Sequence, residues 1–489
     1  MTAGETIMND KAQTISVEST SDHVGRDTSE RERILLRKLD VRIIPMIMWM
    51  YLMSFMDRVN IGNARLYDLE EDLGLVGDQY QLAVSILFVT YCLFELPSNL
   101  IIKKLQPARY LAFITFAWGV VATLTGVVQN FAGLIACRLL LGLFEAGLFP
   151  GLVVYLTMFY TKRTLALRTG YLFATAAIAG AVGGLLAYAI GFMDGVAGMN
   201  GWRWIMIIEG IPTVITGCVV YLVLPNTPET AKFLSEEDRR LLTSMHDREV
   251  GHNANSREFH WSDVRAGLKD KTIWLFGIAH FCLLVMLYSF NVYLPSIIND
   301  MGQWSRAETQ ALTIPIYALG GTAYLAVSKI SDNIQRRGIF IIGFLFISMT
   351  GYACLISNTN VATSFAGCFL VALGAYTSIG LPVAWLGSNY PRFAKRATAS
   401  ALQLTLGNAA GVAAPFLYTT PRAPEYYLSY GVNMGLLCIS ISIYTFLLFY
   451  WRRVNKRRSE GKEDYKLQGK TEDEVENMGD DSPHFRFTI

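Results

Sequence analysis

Four charged residues stand in apolar surroundings. Asp57 and Arg58 end the apolar stretch Ile43 to Met56, and Arg138 and Glu145 lie seven residues apart inside another. A guanidinium holds a carboxylate through two parallel hydrogen bonds. A carboxylate in a low-dielectric cavity takes up a proton near neutral pH, because losing water disfavours its charge. Two Arg beside two carboxylates therefore suit an organic anion that binds in competition with a buried acid. Charged, the acid holds the Arg; protonated, it yields the Arg to the anion. Seven residues of helix turn through about 700°, so Arg138 and Glu145 project from nearly one face, about 10 Å apart along the axis. That is too far for direct contact, so each is expected to meet a different partner.

Such residues need an apolar frame to hold them. Of 489 residues, 52% are hydrophobic and 17% charged. Average soluble chains are about 25% charged. Gly338 to Pro391 contains no Asp, Glu, Lys, Arg or His, and a helix crosses about 30 Å of hydrocarbon with about 20 residues. The composition excludes a soluble enzyme and a disordered chain. The net charge of +2 gives no basic excess for nucleic acid. All seven Cys fall in apolar runs without paired C-x-x-C spacing, so neither a disulfide scaffold nor a zinc site is expected. The polar first 40 residues lack the apolar core of a signal peptide.

The predicted architecture is all-α with twelve spans, near residues 42–65, 79–102, 109–129, 133–157, 167–192, 203–224, 272–297, 309–330, 338–357, 362–388, 397–418 and 427–451. The apolar part of the first span is only 14 residues. It crosses a bilayer only by continuing through Asp57 and Arg58, which places both within the membrane. Lys and Arg recur in alternate loops and before and after the spans, so both termini are expected in the cytosol. Residues 225–271, with eight Lys/Arg and nine Asp/Glu, divide the spans six and six. The expected parts are a solvated tail over 1–40, a six-helix half over 41–224, a cytosolic linker over 225–271, a second half over 272–451 and an acidic tail over 452–489. Ser235 to Asp238 reads as the capped start of a surface helix.

Other intramembrane polar groups are weaker signals. Glu95, just before Pro97, suits gating or packing. Glu209, after Gly201-Trp202-Arg203-Trp204, reads as structural, and His280 as a core histidine. Tyr91, Asn291, Trp385, Gln403 and Asn408 are candidates to line a cavity or to hydrogen-bond between helices. In the turn Ser331 to Gly338, Asp332 precedes Arg336 and Arg337 closely enough to clamp helix ends in one conformation and release them in another.

These residues carry a family resemblance. The Asp332-x-x-x-Arg336-Arg337-Gly338 turn resembles the cytosolic signature of major facilitator transporters. The matching loop Lys103 to Arg109 is degenerate, keeping the basic residues and lacking the Gly and Asp. More specific are Phe55-Met56-Asp57-Arg58-Val59-Asn60-Ile61-Gly62-Asn63-Ala64, Glu95-Leu96-Pro97-Ser98-Asn99, and Arg138 through Gly142, Glu145 and Gly147 to Pro150-Gly151. Over residues 40–452 the chain is similar to the anion:cation symporter family, in its fungal allantoate and nicotinate permease branch. The resemblance implies two six-helix halves that rock about a midplane site and proton-driven import of an organic anion across the plasma membrane, an internal membrane such as the vacuole being the alternative. It implies that Arg58 binds the substrate carboxylate and Arg138 supports the site. Asp57 and Glu145 would couple protons, and Tyr91 and Asn408 would touch substrate. It also implies a monomer without cofactor. The anion does not carry over within this branch. A proton antiporter exporting a drug or metabolite is the competing reading, disfavoured because the fifth span has Gly180, Gly183 and Gly184 but no Pro. The short C-terminal extension speaks against a sensor, and the lack of hydrolase motifs against an enzyme.

Overall fold

In the computed structural model the described backbone covers residues 3–102, 105–251, 261–418, 426–471, 474–475 and 478–489. Side chains are described from residue 30, except at 96, 99, 100, 162, 163, 166, 167, 173, 174, 176, 177, 247–251 and 393. Of the solvated tail expected over 1–40, side chains are described only from residue 30, and there Leu35 and Leu39 are buried while Lys38 and Asp40 pair with Asp238 and Arg168, so its end belongs to the first half; the loop cations Lys103, Lys104, Lys162 and Arg163 lie outside the described side chains.

A bilayer offers no water to backbone N–H and C=O groups, so every crossing segment closes its own hydrogen bonds as a helix. The first half comprises α1 (Ala3–Arg65), α2 (Gln79–Ile102), α3 (Pro107–Thr125), α4 (Phe131–Glu145, resuming as Leu148–Phe159), α5 (Lys162–Gly191) and α6 (Gly201–Val223). The second comprises α7 (Lys271–Met301), α8 (Arg306–Ile334), α9 (Arg337–Ser357), α10 (Val361–Asn389), α11 (Phe393–Ala413) and α12 (Tyr427–Ser459). These are the twelve expected spans. Polar caps set several boundaries. Asn130 accepts from the Gly133 N–H at 2.9 Å, Asp270 from Thr272 at 2.9 Å and Asn360 from Thr363 at 2.8 Å. In the linker, Ser235 caps the helix Glu236–Gly251 reciprocally with Asp238. Asp238 also pairs with Lys38 of α1 at 2.5 Å, which ties linker to first half.

The halves meet towards the cation-poor, outer side. One apolar core joins α7–α12 to the outer ends of α1, α2 and α6, through Ile61, Tyr80 and Trp202; inner residues such as Leu35, Leu111 and Leu152 form a separate core. Arg306 of α8 reaches Asp68 at 2.6 Å and Asp194 at 3.6 Å in the outer loops of the first half. Trp202 and Arg203 both bond Asp72, at 2.9 and 2.8 Å, and Arg203 donates to the Val128 carbonyl at 2.7 Å. The Gly-Trp-Arg-Trp string thus fastens the outer loops. A close cross-half approach of backbone to backbone is at Gly62, where a Cβ would lie 2.2 Å from the Val292 carbonyl oxygen. Gly62→Ala is therefore expected to hold α1 and α7 apart and to lower uptake by about tenfold or more at an unchanged membrane level, since even a methyl group overpacks so close a contact. Unchanged uptake would show that the outer closure is not obligatory.

The C-terminal segment corrects the expectation of a solvated tail. Phe487 stacks on Trp451 of α12, ring centroids 5.4 Å apart and 5° from parallel. Lys395 pairs with Asp480 at 2.6 Å and with Asp270 at 2.9 Å. Asn389 and Asn455 exchange hydrogen bonds with the backbone of Thr488 and Phe487. The acidic composition of the segment hides a short aromatic end that finds an apolar seat. Phe487→Ala removes the stacking, worth about 1.4 kcal/mol, and should release the segment roughly tenfold more often. Limited trypsin digestion at Lys466 and Lys470 should accelerate accordingly; an unchanged cleavage rate would contradict the docking.

Candidate functional site

The two helical pieces of α4 meet at Ala146 and Gly147, directly after Glu145, with right-handed helical angles at both residues, so Phe131–Phe159 runs as one span. On α2, Leu87 and Thr90 pack so close to Gly142 that any side chain there would collide with them. This contact seats the Glu145 end of α4 against the second span.

The Arg58 Nε donates to Glu145 Oε1 at 2.6 Å, the side chains being 11% and 3% exposed. Ser54, one turn before Arg58, donates to the same oxygen. Aromatic rings surround the guanidinium: Tyr91 at 4.7 Å, Phe55 at 5.4 Å and Phe88 at 5.9 Å from its carbon. Such faces attract a cation without competing for its N–H donors. A cavity between the halves opens onto this group. Tyr51, Ser54, Phe55, Arg58, Tyr91 and Glu145 line it from the first half; His280, Tyr288, Val383 and Asn408 are among its lining on the second. Tyr288 donates to Asn408 Oδ1 at 3.3 Å, and Asn408 faces Glu95 of α2. One cation, one acid and several hydroxyl and amide groups thus converge where the two halves meet.

Of the residues singled out from sequence, Arg58, Glu145, Tyr91 and Asn408 come together here, with Glu95 beside them. Arg138 and Asp57 do not line this cavity. They lie behind it, inside the first half, where Asp57 accepts from Trp118 Nε1 at 2.6 Å. Arg138 is 2% exposed and its Nε and one Nη have no hydrogen-bond partner among the described residues. Neighbouring residues on a helix diverge by about 100°, so Asp57 and Arg58 address different clusters. The expectation that both Arg share one cavity is corrected accordingly.

Two further candidates do not line the cavity, and Asn291 takes the other expected role, a hydrogen bond between helices. Asn291 accepts from Tyr376 at 2.8 Å, a bond inside the second half. Trp385 sits at the cytosolic end of α10 among Phe276, Tyr444 and Trp451, and its Nε1 donates to the Thr488 carbonyl at 2.9 Å. A Trp amid apolar residues carries no marker of depth, and the docked C-terminal segment that takes up its N–H was not expected. Asp332 pairs with Arg337 at 3.0 Å across its own turn, with Gln335 in the left-handed region at φ 56°, while Arg336 is exposed. Among the described residues the turn is clipped locally, by the Asp332–Arg337 pair.

Sequence reading missed Tyr51, Ser54, Phe55, His280 and Tyr288. The first three precede Arg58 by seven, four and three residues, the spacing of one helix face. That signal was present once Arg58 was placed in the membrane. His280 lines the cavity and packs on Gly407. Nothing in its local sequence separates this position from a core one.

Residues 47–415 match the family model described as the Major Facilitator Superfamily. An uncharacterised transporter of Schizosaccharomyces pombe is 40% identical over 448 residues, spanning 91% of this chain and 88% of that protein. Among solved structures, the chain is similar to a bacterial homologue of the human lysosomal transporter Spinster in an inward-facing, occupied conformation, with a TM-score of 0.65, 14% identity and coverage of 83% of this chain and 96% of that one. It is also similar to a D-xylose-proton symporter, with a TM-score of 0.63, 12% identity and the same coverages.

Proposed function

The chain belongs to the major facilitator superfamily, and from that premise we propose that it is a proton-coupled symporter importing a small organic anion. The proposal places it with the anion:cation symporters, in the allantoate and nicotinate permease-like branch, acting as a monomer in the plasma membrane. The observation that carries it is the Arg58–Glu145 pair, buried between the halves, with the cavity opening onto it.

The chemistry follows from that pair. Removing one partner of a buried ion pair strands the other charge at a cost of about 3–5 kcal/mol. An entering carboxylate competes with Glu145 for the guanidinium. As the anion takes the N–H donors, Glu145 takes up a proton and becomes neutral, with Ser54 still in hydrogen-bond reach. The bound site then holds one cation, one anion and one neutral acid, as free of net charge as the empty pair. Both end states are neutral, so the halves can close over either. The state with anion bound and Glu145 ionised carries an excess charge into low dielectric, which penalises closure. Proton and anion therefore cross together. Tyr91, Tyr288 and Asn408 supply hydroxyl and amide groups for the rest of the substrate, and the Phe55 and Phe149 rings favour a flat or apolar body.

Uptake of labelled nicotinate, allantoate and pantothenate, measured in cells expressing the protein at about pH 5 with and without a protonophore, tests this reading. Protonophore-sensitive accumulation of at least one carboxylate is expected. Failure with every anion, with lowered retention of preloaded compounds, would overturn import in favour of export.

A further inference from the structure

The first half buries a second acid–base cluster that the exchange at Arg58 does not use. Glu209 of α6 is 2% exposed, and neither carboxylate oxygen has a hydrogen-bond partner among the described residues. Its polar neighbours on α1 are Asp57, within Coulombic reach, and Asn60. Asn60 is 1% exposed and leaves both amide atoms unpartnered. From α3, Trp118 holds Asp57 and Thr115 leaves its hydroxyl unpartnered. From α4, Arg138 lies within Coulombic reach of both Asp57 and Glu145, with N–H groups to spare. The described cation of α5, Arg168, is committed to Asp40 at 2.6 Å near the cytosolic end of that helix.

The charges in this cluster do not balance. Two guanidinium groups, Arg58 and Arg138, stand among three carboxylates: Glu145, Asp57, which neighbours both Glu145 and Glu209, and Glu209. An uncompensated carboxylate out of water costs several kcal/mol, so the cluster holds one proton between its acids. Buried polar atoms are ordinarily hydrogen-bonded, and an orphan asks for a reason. A proton kept only for packing would be fixed by donation to an acceptor. Here the polar neighbour Asn60 holds neither carboxylate oxygen in a hydrogen bond. The fastening work of the Gly-Trp-Arg-Trp string is done by Trp202 and Arg203, not by Glu209.

We propose that Glu209 is a second proton-carrying residue of the transport cycle, positioned on α6 to share one proton with Asp57 across Asn60. Because Asp57 and Arg58 are adjacent on α1, a shift of that helix as the anion binds moves both clusters together. The cycle then carries a second proton beside the one taken by Glu145. This inference rests on the proposed symport and adds its stoichiometry. For a monovalent anion it makes import electrogenic.

The test is the proton:anion ratio, read as the reversal condition for labelled nicotinate in proteoliposomes under opposed pH and nicotinate gradients. If another carboxylate of the panel is the one taken up, it replaces nicotinate. Wild type is expected to reverse at two protons per anion. Glu209→Gln, which copies the neutral acid, is expected to reverse at one while keeping anion counterflow. Glu209→Asp keeps the acid and should restore the ratio of two at a lower rate. A wild-type ratio of one, readable even if no variant folds, overturns the inference and leaves symport standing. So does an unchanged ratio in Glu209→Gln. Uptake that requires Na⁺, with the requirement lost in Glu209→Gln, would also overturn it by assigning the cluster to a metal cation. The absence of any proton-driven flux would instead sink the symport reading itself.

Discussion

Arg58→Ala is expected to lower carboxylate uptake by about a hundredfold or more, with the protein still present in the membrane. Hydrogen bonds to charged groups contribute about 1.5–3 kcal/mol each, and the substrate loses its only charged partner in the cavity described here. The same change leaves Glu145 without its ion-pair partner. Arg58→Lys separates the two contributions. It restores the charge but not the planar two-pronged donor, so partial recovery, to within about tenfold of wild type, is expected. Transport kinetics normalised to the amount of protein in the membrane check both variants. Near-normal uptake by Arg58→Ala would mean that the anion binds elsewhere. Full recovery by Arg58→Lys would mean that charge alone suffices.

Glu145→Gln should produce a different failure. The amide is isosteric with the protonated acid, so the site remains neutral with anion bound and the halves can close over it. The empty site is left with an unpaired Arg58 guanidinium, and its return is blocked by the cost of burying that charge. Exchange of external for internal labelled anion is therefore expected to persist within a few-fold of wild type. Net accumulation driven by a pH gradient should fall to the protonophore-treated level. Loss of both activities together would point to a structural role for Glu145. Retention of both would remove it from coupling.

The fold was legible because its cause is written along the whole chain. Apolar runs of the length a bilayer demands, separated by cationic and cation-poor loops in alternation, leave one arrangement of twelve helices. The key site residues were legible for a narrower reason. A first span with too short an apolar part forces Arg58 into the membrane, and Glu145 has no other place on an apolar α4. What stayed hidden was partner choice. The seven-residue spacing of Arg138 and Glu145 shows that they share a helix face. It does not show that Arg58 takes Glu145 while Asp57 and Trp118 occupy the space beside Arg138. Those contacts depend on how α1, α3 and α4 pack, and no local pattern encodes that. Trp385 and Asn291 lie outside the cavity for the same reason. Their residue types fit a cavity, but their positions on α10 and α7 turn them to the C-terminal segment and to Tyr376. The docked C-terminal end escaped notice because composition averaged over an acidic stretch conceals Phe485, Phe487 and Asp480, the residues that bind.

Exchange of Glu145 for substrate at Arg58 requires that each anion bound brings a proton with it. The most direct measurement is the Kd of purified protein for nicotinate, or for whichever panel carboxylate is taken up fastest, as a function of pH, in wild type and in Glu145→Gln. If binding takes up one proton, Kd rises by about tenfold per pH unit through the alkaline part of the range, and the slope flattens in Glu145→Gln. A Kd that stays constant with pH in wild type, or a slope that survives intact in Glu145→Gln, would contradict the exchange.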